Sequence, residues 1–251
     1  MSRSENRVPG SANRRAFLHN AVTAGAAIAG AGLLNGCATG QSTLGAQTVA
    51  GSASPRATAA TPNESPLWDL SWQERLGRYK MAYDVPDPQK GDAYSVIAST
   101  IAGYKAARPI TAKEFTPVLV LRHTAAIAAL NDNMWKRLKA HERLTDKTTS
   151  AKFAERNPFL VYVDRDTSFV TADSSIAVLM ANGTTVLVCN RALTALSGGL
   201  RRADPDKFKT NEEALAEIRR NLHPGIIPMP NGLFAVAAAQ DAGCGYMRIL
   251  E

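Results

Sequence analysis

From Tyr79 onward the apolar positions of this chain switch back and forth between two periods. Tyr79-Lys80-Met81-Ala82-Tyr83-Asp84-Val85 alternates with period two and predicts a first strand, which Pro86, Pro88 and Gly91 break. Asp92 to Ala107 places Tyr94, Ile97, Ala98, Ile101 and Tyr104 at helical spacing, so it predicts a helix with one buried face. Thr116 to Leu121 is a continuous apolar run, the pattern of a strand covered on both sides. A helix is expected from Ala125 to Ala140. Asn157 to Val170 is mixed: Phe159-Leu160-Val161-Tyr162-Val163 is β-like, but Asp164-Arg165-Asp166 follows, which predicts a surface hairpin or an insertion. Ser174 to Ala181 predicts a helix closed by Asn182-Gly183. The β-branched run Thr184-Thr185-Val186-Leu187-Val188 then leads into Cys189, and a helix follows from Asn190, with its stop expected at Gly198-Gly199. The remaining elements are a helix from Asn211 to Leu222 with Asn211 as its cap, a short strand Gly225 to Met229, a helix Gly232 to Ala242 capped by Asn231, and a last strand Gly245 to Ile249. Strands that alternate with helices predict an α/β fold, a mostly parallel sheet with helices on both faces. No internal repeat is visible, and Leu67 to Trp72, with two Trp four apart, predicts a short amphipathic turn.

The preceding third of the chain has a different texture. Asn13-Arg14-Arg15-Ala16-Phe17-Leu18 has the form of a twin-arginine motif, and the Ala- and Gly-rich stretch Ala21 to Leu34 follows it. As a helix of ~1.5 Å per residue that stretch reaches roughly 21 Å, short of a ~30 Å hydrocarbon core. It reads as the apolar region of an export signal, implying the twin-arginine export machinery as a partner and a location outside the cytoplasm. Leu34-Asn35-Gly36-Cys37 resembles a lipobox, although Asn35 departs from the usual small residue. Two outcomes follow: Cys37 acylated and holding the protein to the membrane, or a soluble periplasmic product. Residues 38–65, dominated by Ala, Thr, Ser, Gly and Pro, read as a flexible linker, leaving 66–251 as the folded domain.

Charge changes this picture little. The 251-residue chain carries a formal +7, of which residues 1–37 supply a net +3 through Arg3, Arg7, Arg14 and Arg15 against Glu5. The balance is mildly basic, with no basic stripe interleaved with aromatics, so nucleic-acid binding is not expected. Arg201-Arg202 and Arg219-Arg220 read as solvated helix surface or as a site for an anionic group. With Cys37 removed or acylated, Cys189 and Cys244 remain, one ending a strand and the other beginning one. In a parallel sheet these are opposite edges, ~20 Å apart along a six-residue strand, whereas a disulfide needs Cα atoms within ~7 Å. No pairing is expected.

Chemistry concentrates at Cys189. A thiol between a strand and a helix N-terminus lies where amide N–H groups and the helix dipole favour negative charge, hence the reactive thiolate. The alternative is a small buried hydrophobe ending a core strand. Arg122 and His123 end the second strand on the same sheet edge. His123 is a candidate base for the thiol, and Arg122 a candidate holder of an anionic sulfur donor such as thiosulfate. The alternative for both is a strand-end pair engaged in backbone hydrogen bonds. Asn190 and Arg191 open the following helix, where backbone N–H groups would face bound sulfur. Asn131-Asp132, two turns into the helix expected there, is a polar patch near the site or plain surface. His123, His141 and His223 are widely spaced, and neither His-Glu-x-x-His nor Cys-x-x-Cys occurs, so no metal site is expected. No cofactor cradle is readable either. Gly198-Gly199 lacks the Lys-Ser/Thr of a phosphate loop, and no Gly-x-Ser-x-Gly elbow is present.

Two segments resemble the DsrE/DsrF-like family. Gly183 to Leu193, Gly-Thr-Thr-Val-Leu-Val-Cys-Asn-Arg-Ala-Leu, is similar to its strand–Cys–helix, and Pro228 to Ile249, with Pro230-Asn231-Gly232-Leu233-Phe234 and Gln240-Asp241-Ala242-Gly243-Cys244-Gly245-Tyr246, to its closing helix and glycine-aromatic strand. The likeness covers about residues 75 to 251. It implies a small three-layer α/β fold, homo-oligomers such as trimers or hexamers, and a persulfide-carrying cysteine at Cys189. Family relay members are cytosolic, whereas this chain carries an export signal, and the long N-terminal section and the Asn157–Val170 segment fall outside the family pattern. The expectation is therefore an exported DsrE-like protein handling sulfane or reduced sulfur, a sulfurtransferase or sulfur carrier. The alternatives are a non-enzymatic oligomeric scaffold or small-ligand binding module of the envelope with Cys189 merely packed, and a redox-sensing thiol.

Overall fold

The computed structural model describes residues 68–88, 91–111, 114–144 and 150–249. The twin-arginine motif, the lipobox-like Cys37 and the linker lie outside the described residues.

Five parallel strands form one sheet in the order β4-β3-β2-β1-β5, with β1 Tyr79–Val85, β2 Phe115–Leu121, β3 Thr185–Cys189, β4 Ile227–Met229 and β5 Gly245–Arg248. The chain steps from β1 to β4 in one direction and then returns across the sheet to place β5 beside β1. Side chains alternate between two cores. Tyr83, Val85, Leu119, Leu121, Val186 and Val188 face one, while Ala82, Val118, Val120, Leu187 and Met229 face the other. The first core is covered by α1 (Asp92–Ala107), α4 (Asn190–Ala203), α5 (Asn211–Arg220) and the segments between them. The second is covered by α6 (Gly232–Asp241) and by the Ser71–Arg75 3-10 turn, whose Trp72 is fully buried. The result is the three-layer α/β arrangement expected.

β2 is buried along its whole length although it contains Pro117, a residue usually kept from central strands. The register explains this. β3 begins pairing opposite Val118, so no neighbour on that side asks Pro117 for an N–H. Pro228 sits in β4, at the sheet edge, where a missing donor also costs nothing.

Several local expectations are corrected. The Ala125–Ala140 helix is instead a 3-10 turn His123–Ala129, a short α2 (Asp132–Arg137) and a second 3-10 turn Ala140–Arg143. Residues 125–130 are buried throughout, and the chain between α5 and β4 meets the backbone of this segment: His223 N–H donates to the Ala129 carbonyl and Asn131 N–H to that of Asn221. Asn131 is accordingly the cap of α2, not a residue two turns into a helix; its Oδ1 accepts from Met134 N–H. The Asn157–Val170 segment is not a hairpin but a mixed insertion, with buried ends and an exposed middle in which Val161 and Val163 face solvent. Asn157 Nδ2 donates to the Ala128 and Leu130 carbonyls, and the fully buried Phe159 ring lies against Tyr94, Trp135 and Phe169. Gly198-Gly199 does not stop α4, because Leu193, Leu196 and Leu200 continue one buried stripe past it. The cap of α5 is Thr210, one residue before Asn211; Thr210 and Glu213 form a reciprocal capping box. The α3 helix is Ile176–Ala181, with Ser175 as its cap, and Gly183 follows at φ +93°.

Candidate functional site

The carboxyl ends of the strands bring the candidate residues together. Leu121 of β2 pairs with Val188 of β3, and Cys189 pairs with Met229 of β4. The next residues out, Arg122, Cys189 and then Pro230-Asn231, therefore share one ledge, the edge at which open α/β sheets bind ligands. His123 follows Arg122 in a left-handed backbone conformation, φ +48°, uncommon for a non-glycine residue.

Arg122 is 8% exposed and clamped by Asp84, itself 2% exposed near the end of β1. Nε donates to Oδ1 at 2.5 Å and Nη2 to Oδ2 at 2.9 Å, a bidentate pair. The Tyr246 hydroxyl of β5 donates to the same Oδ2 at 3.0 Å. These hydrogen bonds to Asp84 hold the Arg122 proton more tightly than usual; burial opposes them, and Tyr246 and the Cys189 sulfur add smaller raising effects. Burial first, and donation to Asp84 second, push the Tyr246 hydroxyl up. The aliphatic stem of Arg122 rests on Gly232, the first residue of α6. A Cβ there would stand 2.5 Å from the Arg122 Cβ, so only glycine admits this contact. The backbone reading also holds for Arg122, since its N–H donates to the Val85 carbonyl and its own carbonyl accepts from Ala125 N–H.

A pocket of about 510 Å³ opens on this ledge. Cys189, 7% exposed, forms part of its wall, with Arg122, His123, Arg143 and Arg191 contributing every charged or titrating nitrogen. No carboxylate lines it. Ile127, Ala192, Ala195, Leu196 and Leu233 supply apolar walls, and Asn231 and Gly232 bring the N-terminus of α6 to the rim. Of the residues expected here, Cys189, His123, Arg122 and Arg191 line the pocket. Asn190 does not: its Oδ1 accepts from Arg219 Nε at 2.8 Å, over on α5. That bond also accounts for Arg219, whose guanidinium covers the Trp68 ring, while Arg220 pairs with Glu217.

Sequence reasoning missed Asp84, Arg143, Gly232 and Tyr246. Asp84 carried a signal, a lone carboxylate at an inward position of an alternating strand. Arg143 carried none, because its place depends on the turn geometry after α2.

The two cysteines are both free, and Cys244 sits before β5 at the other end of the sheet. Among the described residues no three His, Cys, Asp or Glu side chains gather around a metal-sized point. No helix of the described residues is long and apolar enough to cross a membrane. No family model, curated protein or solved structure matches the chain.

Proposed function

We propose that this chain is an exported DsrE-like protein whose Cys189 takes sulfane sulfur from an anionic donor held in the carboxyl-edge pocket. The observation that carries the reading is the pocket itself: a thiol in the wall of a cavity that has four cationic or titrating side chains and no carboxylate. Arg143 and Arg191 attract the donor anion, Arg122, whose charge Asp84 balances, presents a rigidly held guanidinium donor, and His123 is the base for the thiol proton. In the transfer, the Cys189 thiolate attacks the outer sulfur of a thiosulfate-type donor. A Cys–S bond forms, the donor S–S bond breaks, and sulfite leaves with the electron pair. The product is a cysteine persulfide, and no external oxidant or reductant is needed.

The test is incubation of the folded protein with thiosulfate, followed by cyanide release of bound sulfane sulfur as thiocyanate. About one equivalent per chain is expected, falling to background in Cys189→Ser. Iodoacetamide labelling across pH runs alongside; a Cys189 that stays unlabelled until the protein unfolds overturns the reading.

The narrow exposure of Cys189, 7%, favours a second reading, a small-ligand binding module in which the sulfur is only wall. It stands if Cys189→Ser binds anions as well as the parent protein while no thiocyanate is released from either.

A further inference from the structure

We propose that the ligand of this pocket is an elongated organic anion, its apolar body lying along α4, and not a bare inorganic oxyanion. The inference takes the pocket as the working site from the reading above but does not require Cys189 to react.

Size is the first argument. A water molecule's share of liquid volume is about 30 Å³, so a five-atom anion leaves most of the 510 Å³ empty. Shape is the second. Arg191 lies in the first turn of α4, and the Arg143 guanidinium reaches the same helix at Gly199, where a Cβ would stand 3.9 Å from Nη2. Residues 191 and 199 are separated by roughly 12 Å of helix at ~1.5 Å per residue. Between these two cations the pocket wall is Ala192, Ala195 and Leu196, one face of α4 without a polar side chain. Neither Arg143 nor Arg191 is paired with a carboxylate among the described residues. The third argument is Leu233, which is 71% exposed at the rim, an apolar side chain that a bound apolar body would cover. Arg191 at the start of the strip takes the anionic head of an elongated molecule, the strip takes its apolar body, and Arg143 at the far end leaves room for a second anionic group. If sulfur transfer occurs, thiosulfate is a small surrogate for an organic thiosulfonate, in which the Cys189 thiolate takes the outer sulfur, the donor S–S bond breaks and a sulfinate leaves with the electron pair.

Calorimetric titration with methane-, butane- and hexanesulfonate, at low salt, tests this on the parent protein and on Cys189→Ser. Affinity should rise at least tenfold from methane- to hexanesulfonate in both proteins, because each added methylene is buried. Ala195→Phe, a change at an exposed position that fills the strip, should remove that rise. Leu233→Ala should reduce it, and Arg191→Gln should weaken all three sulfonates alike. Affinity that is flat with chain length, absent for all three, or unaltered by Ala195→Phe overturns the inference. The arms are separable: an inert Cys189 with chain-length-dependent binding removes the sulfur chemistry alone, whereas a reactive Cys189 with flat binding removes only this inference.

Discussion

The two ends of the sheet each hold one cysteine, and the two are equally covered, at 7% exposure. Their surroundings differ. Cys244, at the amino end of β5, packs into the second core with Ala82 and Ala239, and burial pushes its thiol up, with Lys80 opposing weakly. Cys189, at the carboxyl end of β3, belongs to the wall of the cationic pocket. Depth therefore does not separate a structural cysteine from a candidate nucleophile here. What separates them is which end of the strands they occupy, since parallel strands turn their carboxyl ends toward helix N-termini and loops free to vary.

That contrast can be broken most forcefully at its electrostatic root. Asp84→Asn removes half of a buried ion pair and leaves Arg122 charged in the interior, so a loss of about 3–5 kcal/mol is expected in urea unfolding. Lys80→Met, the matching charge removal beside Cys244, should stay within about 0.5 kcal/mol. Gly232→Ala comes next. The added methyl meets the Arg122 stem, and a loss of about 1–3 kcal/mol is expected by thermal unfolding, together with weaker anion binding. A smaller effect, but the most direct, is the ratio of alkylation rates in the folded protein at pH 8. Cys189 should react at least tenfold faster than Cys244, measured by mass spectrometry of tryptic peptides; equal rates would erase the distinction between the two ends.

The smallest effect lies away from both cysteines. Glu217 on α5 accepts from Arg220 and Arg137, and these hydrogen bonds lower its pKa from 4.5 to about 2. Its stabilisation is then complete above pH 4.5 and disappears as the pH falls through 2. Glu217 is partly solvated, so Glu217→Gln should cost no more than about 1 kcal/mol at pH 7 and nothing near pH 2, by urea titration at each pH. The alkylation ratio at pH 8 should be unchanged in that variant.

The strands and their carboxyl-end residues were legible because long-range and local preferences agree there. Apolar runs such as Thr116–Leu121 mark central strands, and parallel connection then puts Arg122, His123 and Cys189 on one edge without further information. The α1 bounds, Asp92–Ala107, were equally plain. The errors fall where tertiary partners override local pattern. The Ala125–Ala140 run has helical composition, yet hydrogen bonds between Asn131 and Asn221 and between His223 and Ala129, each joining residues 90 or more positions apart, break it into turns. Gly198-Gly199 has the composition of a stop, yet the buried leucine stripe continues the helix. The site was legible in its strand-end half and hidden in the half that comes from turns and from the far strand, Arg143 and Tyr246.

Asp84 also links parts of the chain that meet at very different distances in sequence. Its bond to Arg122 closes a separation of 38 residues, and its bond to Tyr246 one of 162. By the (3/2)RT ln n rule the second closure costs about 1.3 kcal/mol more chain entropy than the first. The guanidinium is thus seated by the single β1-α1-β2 crossover, whereas the phenol that steadies its counterion arrives through the most remote pairing in the sheet. Rigidity at the ledge is consequently borrowed from the docking of β5, and any fraying of that outermost strand would be felt first as a loosening of Arg122.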